Sequence, residues 1–181
     1  SVRTRFPRLA GIGRSDHVAL TFDDGPDPVS TPAILDLLGA SGARATFFLV
    51  GERIARGGDV VQRIVDEGHE IGLHGWRHRY MFAASPRLAR CLTAFSDVVG
   101  DAHPRPRWFR PPYGVLSASS AIEAARHRLA PILWTTWAKD WRADATPESI
   151  EEMMTPGLVG GATLLLHDAS TNRAPMSWTA T

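Results

Sequence analysis

The feature that most constrains this chain is a rhythm of short, near-continuous apolar runs at residues 17–22, 45–50, 69–73, 107–109, 131–136 and 162–166. None of them alternates cleanly between apolar and polar residues. A strand that reads this way is covered on both faces, as parallel strands between helices are. The stretches between the runs carry helix signals. Thr31-Pro32 opens a helix over 33–38, Ser85-Pro86 one over 87–99 and Thr146-Pro147 one over 148–154, because proline's fixed φ suits the first helical turn. Asp59 can cap a helix over 60–67, which Gly68 can end. Strand–helix alternation of this kind predicts an α/β fold with right-handed crossovers.

Composition narrows the chemistry. A length of 181 residues fits one domain with a sizeable core, and no repeat or low-complexity tract divides it. Twenty basic against 19 acidic groups give a net charge of +1, which leaves no basic footprint for nucleic acid or an anionic membrane. Cys91 is the only cysteine, so an internal disulfide, an all-thiolate zinc site and a thiol redox pair are excluded. Lys139 is the only lysine among nineteen arginines, an unpromising basis for Schiff-base chemistry. No apolar run approaches the roughly 20 residues that span a bilayer. Residues 1–9 carry Arg3, Arg5 and Arg8 with no apolar stretch behind them, so no signal peptide is legible here.

The chemical side chains cluster after the apolar runs. Asp23-Asp24 follows the first, His74 to His78 the third and Arg110 the fourth; Lys139-Asp140-Trp141 lies beyond the fifth, and His167 follows the sixth. Parallel α/β folds gather their ligand loops at the carboxyl ends of the strands, so all five groups fall on one edge. Each has an ordinary reading when taken alone. Asp23-Asp24-Gly25-Pro26 can be a turn, yet adjacent carboxylates at a buried strand end repel unless a cation or an arginine compensates them. His74 and His78, four apart, share one face if they lie in a helical turn, where they can hold one metal ion; most such pairs are plain surface or core histidines. Two imidazoles and a carboxylate from another strand end make a catalytic rather than a structural metal site, because positions stay open. Arg110-Pro111-Pro112-Tyr113-Gly114 is a stiff loop that could simply be rigid, or could aim Arg110 at a carboxylate.

In this order TFDDGP (residues 21–26), H-x-x-x-H (74–78), RPPYG (110–114), K-D-W (139–141) and LLLH (164–167) resemble the five signature motifs of the polysaccharide deacetylases. These are the family 4 carbohydrate esterases, which include chitin, chitooligosaccharide and peptidoglycan N-acetylglucosamine deacetylases. The resemblance implies a distorted, incomplete (β/α) barrel of six or seven mostly parallel strands, with the active site at their C-terminal ends. Residues 1–16 are then an N-terminal arm and 17–181 the catalytic domain. That domain is expected to stop short of the family's last helix and closing strand, which would expose a sheet edge. Two positions depart from the family pattern. Gly75 stands where a Ser or Thr usually follows the first histidine, so a looser ligand loop is expected. Trp137 stands where an acidic residue usually opens the fourth motif.

Carried residue by residue, the resemblance makes Asp24, His74 and His78 the ligands of one divalent ion, zinc in most relatives and cobalt or nickel in some. Asp23 becomes the general base, held ionised and oriented by Arg110. The Tyr113 backbone N–H becomes the oxyanion donor, and His167, backed by Asp140, the general acid. Trp141 and Leu165 would wall a pocket for the acetyl methyl. The implied reaction hydrolyses an N-acetyl group on a glycan of N-acetylglucosamine, releasing acetate. The resemblance also implies a secreted or cell-envelope setting. Alternatives are an O-acetyl esterase acting on xylan-like glycan, a carbohydrate-binding homologue with impaired catalysis, and a non-haem iron oxygenase built on two histidines and a carboxylate. Trp76, Trp137 and Trp178 are candidate sugar-stacking residues, although tryptophans more often pack cores.

Overall fold

The computed structural model describes residues 2–83 and 86–169. Seven strands, β1 (Ala19–Asp23), β2 (Thr46–Leu49), β3 (Glu70–Leu73), β4 (Trp108–Phe109), β5 (Ala130–Pro131), β6 (Thr136–Trp137) and β7 (Thr163–His167), form one sheet in the order β5-β4-β3-β2-β1-β7-β6. Every neighbouring pair is parallel. Around them lie α1 (Val2–Arg5), α2 (Ser30–Ser41), α3 (Gly51–Ile54), α4 (Gly58–Asp66), α5 (Arg87–Val99), α6 (Ala118–Arg126) and α7 (Pro147–Met154). This is the incomplete α/β barrel expected from the resemblance. No helix among the described residues is long and apolar enough to cross a membrane.

Side chains alternate across each strand, and the sheet's two faces bury different things. Phe22, Phe47, Leu49, Leu73, Leu164 and Leu166 join one apolar cluster with residues of α2, α4 and α5. The intervening positions turn the other way. The register sets Thr21 beside Leu165, and Asp23 beside both Phe48 and His167, so chemistry and packing share the inner face. Both faces are buried, which is why the strands read as unbroken apolar runs.

Residues 131–136 do not form the single strand that their apolarity predicts. The chain leaves the sheet at one edge as β5 and rejoins it at the other edge as β6. The five steps from Pro131 to Thr136 span at most about 18 Å, so the sheet must curl until its edges nearly meet. Residues 132–135 are half-buried along this seam, where the Ile132 amide still donates to the Phe109 carbonyl at 2.9 Å and the Thr135 amide to the Thr163 carbonyl at 3.0 Å. The segment before β1 stitches it from the other side. The Leu133 amide donates to the Leu9 carbonyl at 2.8 Å, and the Thr163 hydroxyl to the Gly11 carbonyl at 2.7 Å.

Among the helices, α5 spans the predicted residues 87–99, with Ser85 outside the described residues. Thr146 caps α7 as expected, its hydroxyl accepting from the Ser149 amide in a reciprocal capping box. Asp59 does not cap α4; it lies inside the first turn, where a negative charge still favours the helix amino end. α6 is an addition to the sequence reading, started by a Ser117/Ser120 capping box.

Candidate active site

β1 ends by delivering two carboxylates in different environments. Asp23 is buried, and its Oδ1 accepts from Arg110 Nη1 at 2.6 Å. Burial pushes its carboxyl above the usual range, and the positive charges around it, Arg110 first, pull it only part of the way back. Asp24 follows with a left-handed φ of 82°, which turns its carboxylate away from that arginine. Its buried Oδ1 lies 3.5 Å from His74 Nε2 and 3.5 Å from His78 Nε2 and has no hydrogen-bond partner.

The two histidines converge on that oxygen, but not through a helical turn. His74 continues directly from β3, and His78 lies in the bend that follows. His74 Nδ1–H donates to the Arg110 carbonyl at 2.8 Å, and a carbonyl can only accept. The proton is thereby fixed on Nδ1, and the Nε2 lone pair faces Asp24. Burial holds the imidazole down at about 3, so it stays neutral. Among the described residues, Asp24, His74 and His78 are the set whose ligand atoms, all within 4.8 Å of one another, could hold a metal ion.

The looser loop expected at Gly75 is not what the backbone shows. Gly75 has a φ of 78°, a region where serine or threonine would be strained. Its carbonyl accepts from the Gly51 amide and the Trp76 carbonyl from the Glu52 amide, both at 2.9 Å, so backbone bonds hold this loop to α3.

Arg110 directly follows β4 and is fully buried, its Cζ 3.9 Å from the Phe48 ring centroid. Nη1 also donates to Thr21 Oγ1 at 2.8 Å, and Nη2 to the Leu133 carbonyl at 3.0 Å. Prolines 111 and 112 then lead into a tight turn in which Tyr113 takes a φ of 60° and keeps its ring exposed, 4.3 Å from that of His78.

On the opposite side of β1, β7 delivers His167 beside Asp23 in the strand register. Asp140 is fully buried and grips His167 twice, accepting from its backbone amide at 2.6 Å and from Nδ1 at 2.8 Å. Burial resists a charge on this imidazole, but the hydrogen bond and charge of Asp140 outweigh it and raise His167 to about 9. Trp141 packs edge-on against the His167 ring at 5.2 Å, and Leu165 is buried two residues earlier on the same side of β7. The three candidate sugar-stacking tryptophans have different surroundings. Trp76 packs against the core beneath Arg90, Trp137 is half-exposed against Trp141, and Trp178 lies outside the described residues. Cys91 is buried, which pushes its thiol up to about 12 and removes it from thiolate chemistry.

Three contributors were given no role by the sequence, although Thr21 opens the TFDDGP motif. Thr21 and Phe48 shape the Arg110 pocket, and Asp168 braces the aspartate loop. Asp168 Oδ1 accepts from the Gly25 amide at 2.9 Å and Oδ2 from the Thr31 hydroxyl at 2.6 Å. Only its place, directly after the LLLH run, hints at this.

A model of the family described as "Polysaccharide deacetylase" matches residues 10–132. The peptidoglycan-N-acetylglucosamine deacetylase of Bacillus cereus is 36% identical over 160 residues, covering 87% of this chain and 75% of that protein. The chitooligosaccharide deacetylase of Bradyrhizobium sp. is 35% identical over 179 residues, covering 93% and 76%. Among solved structures, a family 4 acetyl xylan esterase from Clostridium thermocellum, in complex with a cobalt ion, matches with a TM-score of 0.77 at 32% identity over 88% of this chain and 78% of that one.

Proposed function

The chain belongs to the polysaccharide deacetylase family, and from that premise we propose that it removes N-acetyl groups from N-acetylglucosamine units of chitin oligomers or peptidoglycan and releases acetate. The observation that carries this reading is the divided environment of two adjacent carboxylates. Asp23 is engaged by Arg110, whereas Asp24 has a buried, unpartnered oxygen facing two imidazole Nε2 atoms. An orphaned buried anionic oxygen is costly, and a cation there removes the cost. Asp24, His74 and His78 therefore suit a divalent ion, with zinc matching the nitrogen-rich donor set. Such an ion would lower the pKa of a water toward about 7 and polarise the acetamide carbonyl.

The chain's own residues do the rest. Asp23 accepts the proton of the attacking water while Arg110 fixes its orientation, and burial has already made it a stronger base than a surface carboxylate. The Tyr113 backbone N–H is the donor to the developing oxyanion, following the family pattern. His167, charged below about pH 9, gives its proton to the departing nitrogen as the carbon–nitrogen bond breaks. Trp141 and Leu165 bound the space for the acetyl methyl and keep the acyl group short. The products are acetate and the free amino sugar. Membership of the family supports a secreted or cell-envelope setting.

O-acetyl ester hydrolysis on xylan is the second reading, favoured by the likeness to an acetyl xylan esterase. A firmly protonated His167 favours the amide, because an amine leaves poorly without a proton and an alkoxide needs it less. Acetate release should be measured from chitin oligomers, peptidoglycan and acetyl-xylan with zinc present. Release from an N-acetylglucosamine substrate is expected. Release from acetyl-xylan alone would replace the deacetylase reading with the esterase, and release from none would leave a catalytically impaired carbohydrate-binding homologue.

A further inference from the structure

Beside the metal triad, three large aromatic side chains stand open to solvent as one group. Tyr80 is 50% exposed, Phe82 68% and Tyr113 53%. Their rings run outward from the site without a break. Tyr113 lies 4.3 Å from the His78 ring, Tyr80 lies 4.5 Å from Tyr113, and Phe82 lies 5.3 Å from Tyr80, tilted by only 14°. Contiguous apolar surface of this kind is uncommon on a soluble protein outside ligand grooves and interfaces.

The shelf is anchored rather than loose. Between its two outer rings sits Met81, whose side chain is buried in the core cluster. The Met81 carbonyl accepts from the hydroxyls of Ser117 and Ser119, at the start of α6. With the middle residue pinned inward, the flanking Tyr80 and Phe82 are left on the outside. The Tyr80 and Phe82 rings are stacked on each other and so are ordered before any ligand arrives, which is what rigid aromatic recognition requires.

We propose that Tyr80, Phe82 and Tyr113 form a stacking platform for a pyranose ring of the glycan, next to the sugar whose acetamide reaches the triad. The apolar C–H face of a pyranose matches an aromatic face, and the platform is continuous with the site. The ligand chemistry follows: an oligomer or polymer of β-linked hexosamine gains affinity over the single sugar. This inference rests on the deacetylase reading for the identity of its ligand.

The test pairs binding with turnover. Chitotetraose and N-acetylglucosamine are titrated calorimetrically into the zinc-loaded wild-type chain and into the Tyr80→Ala/Phe82→Ala variant. Acetate release from both sugars and hydrolysis of 4-nitrophenyl acetate are followed in parallel. The double variant should bind the tetramer about tenfold more weakly and show a correspondingly raised KM, given the worth of one lost aromatic face. Monomer binding and ester hydrolysis should hold. Tetramer affinity that is absent from the wild type, or unchanged in the variant, overturns the platform even if acetate is released. If no glycan releases acetate, the deacetylase reading fails, and a tetramer affinity lost with the two rings still supports the platform. Should the double variant fold poorly, Tyr80→Trp/Phe82→Tyr decides, with retained tetramer affinity expected and its loss contradicting a stacking role.

Discussion

On the proposed mechanism His167 carries a proton when the amine departs, and Asp140 is the residue that favours its charged form. Its folded value of about 9 lies above the ordinary histidine value of about 6.5. The pair's contribution to stability is therefore complete below about pH 6.5 and is lost as pH rises through about 9. If His167 is the acid, the same titration sets the alkaline limit of catalysis. Asp140→Asn keeps the shape but removes the charge, leaving burial to depress the imidazole. Its kcat on an N-acetyl substrate should fall about 10²- to 10⁴-fold, with the alkaline limb moved to lower pH. Hydrolysis of an activated acetyl ester should suffer far less. Equal losses on amide and ester, or an unmoved limb, would remove His167 from the acid role. Residue types and their order at strand ends suggested the metal-capable set, whereas the acid role of His167 and Asp140 came only from the family resemblance. The parts played by Thr21 and Asp168 were not legible, since they come from partners far away in sequence, Arg110 for one and Thr31 for the other.

Between elements, the junction of β1, α2 and β7 holds the aspartate loop in place. The Ser30 hydroxyl donates to the Asp168 carbonyl at 2.5 Å, and Thr31 and Gly25 engage the Asp168 carboxylate. A Cβ on Gly25 would stand 2.0 Å from Asp168 Oδ2 and 2.6 Å from its Cγ, so glycine is required by this close approach. Gly25→Ala should destabilise the chain by about 1–3 kcal/mol in urea unfolding, the usual result of overpacking. Asp168→Ala removes the obstructing carboxylate, so the double variant should lose clearly less than the two single losses combined. Additivity within about 0.5 kcal/mol would show that the contact is not what demands the glycine. Elements were easier to locate than to pair. The run at 131–136 reads as a strand because apolarity reports burial, and it cannot distinguish pairing in a sheet from lining a seam. The 87–99 and 148–154 helices were legible because proline acts locally. α6 was missed because a serine–serine capping box is a faint signal.

At the scale of the whole molecule, the candidate ligands Asp24, His74 and His78 meet because the β1, β2 and β3 ends lie side by side. The barrel and the candidate ion site are thus one construction, in keeping with motif order along the chain, because parallel strands bring successive loops to the same edge. The account stands on two neighbouring aspartates doing different work around one ion. Calorimetric zinc titration of the wild-type, Asp24→Ala and Asp23→Asn chains tests this most directly. The wild type should take up one zinc per chain, Asp24→Ala should lose that binding, and Asp23→Asn should keep it within about tenfold while releasing no acetate. An empty site in Asp23→Asn, or undiminished zinc binding in Asp24→Ala, would contradict the division of roles.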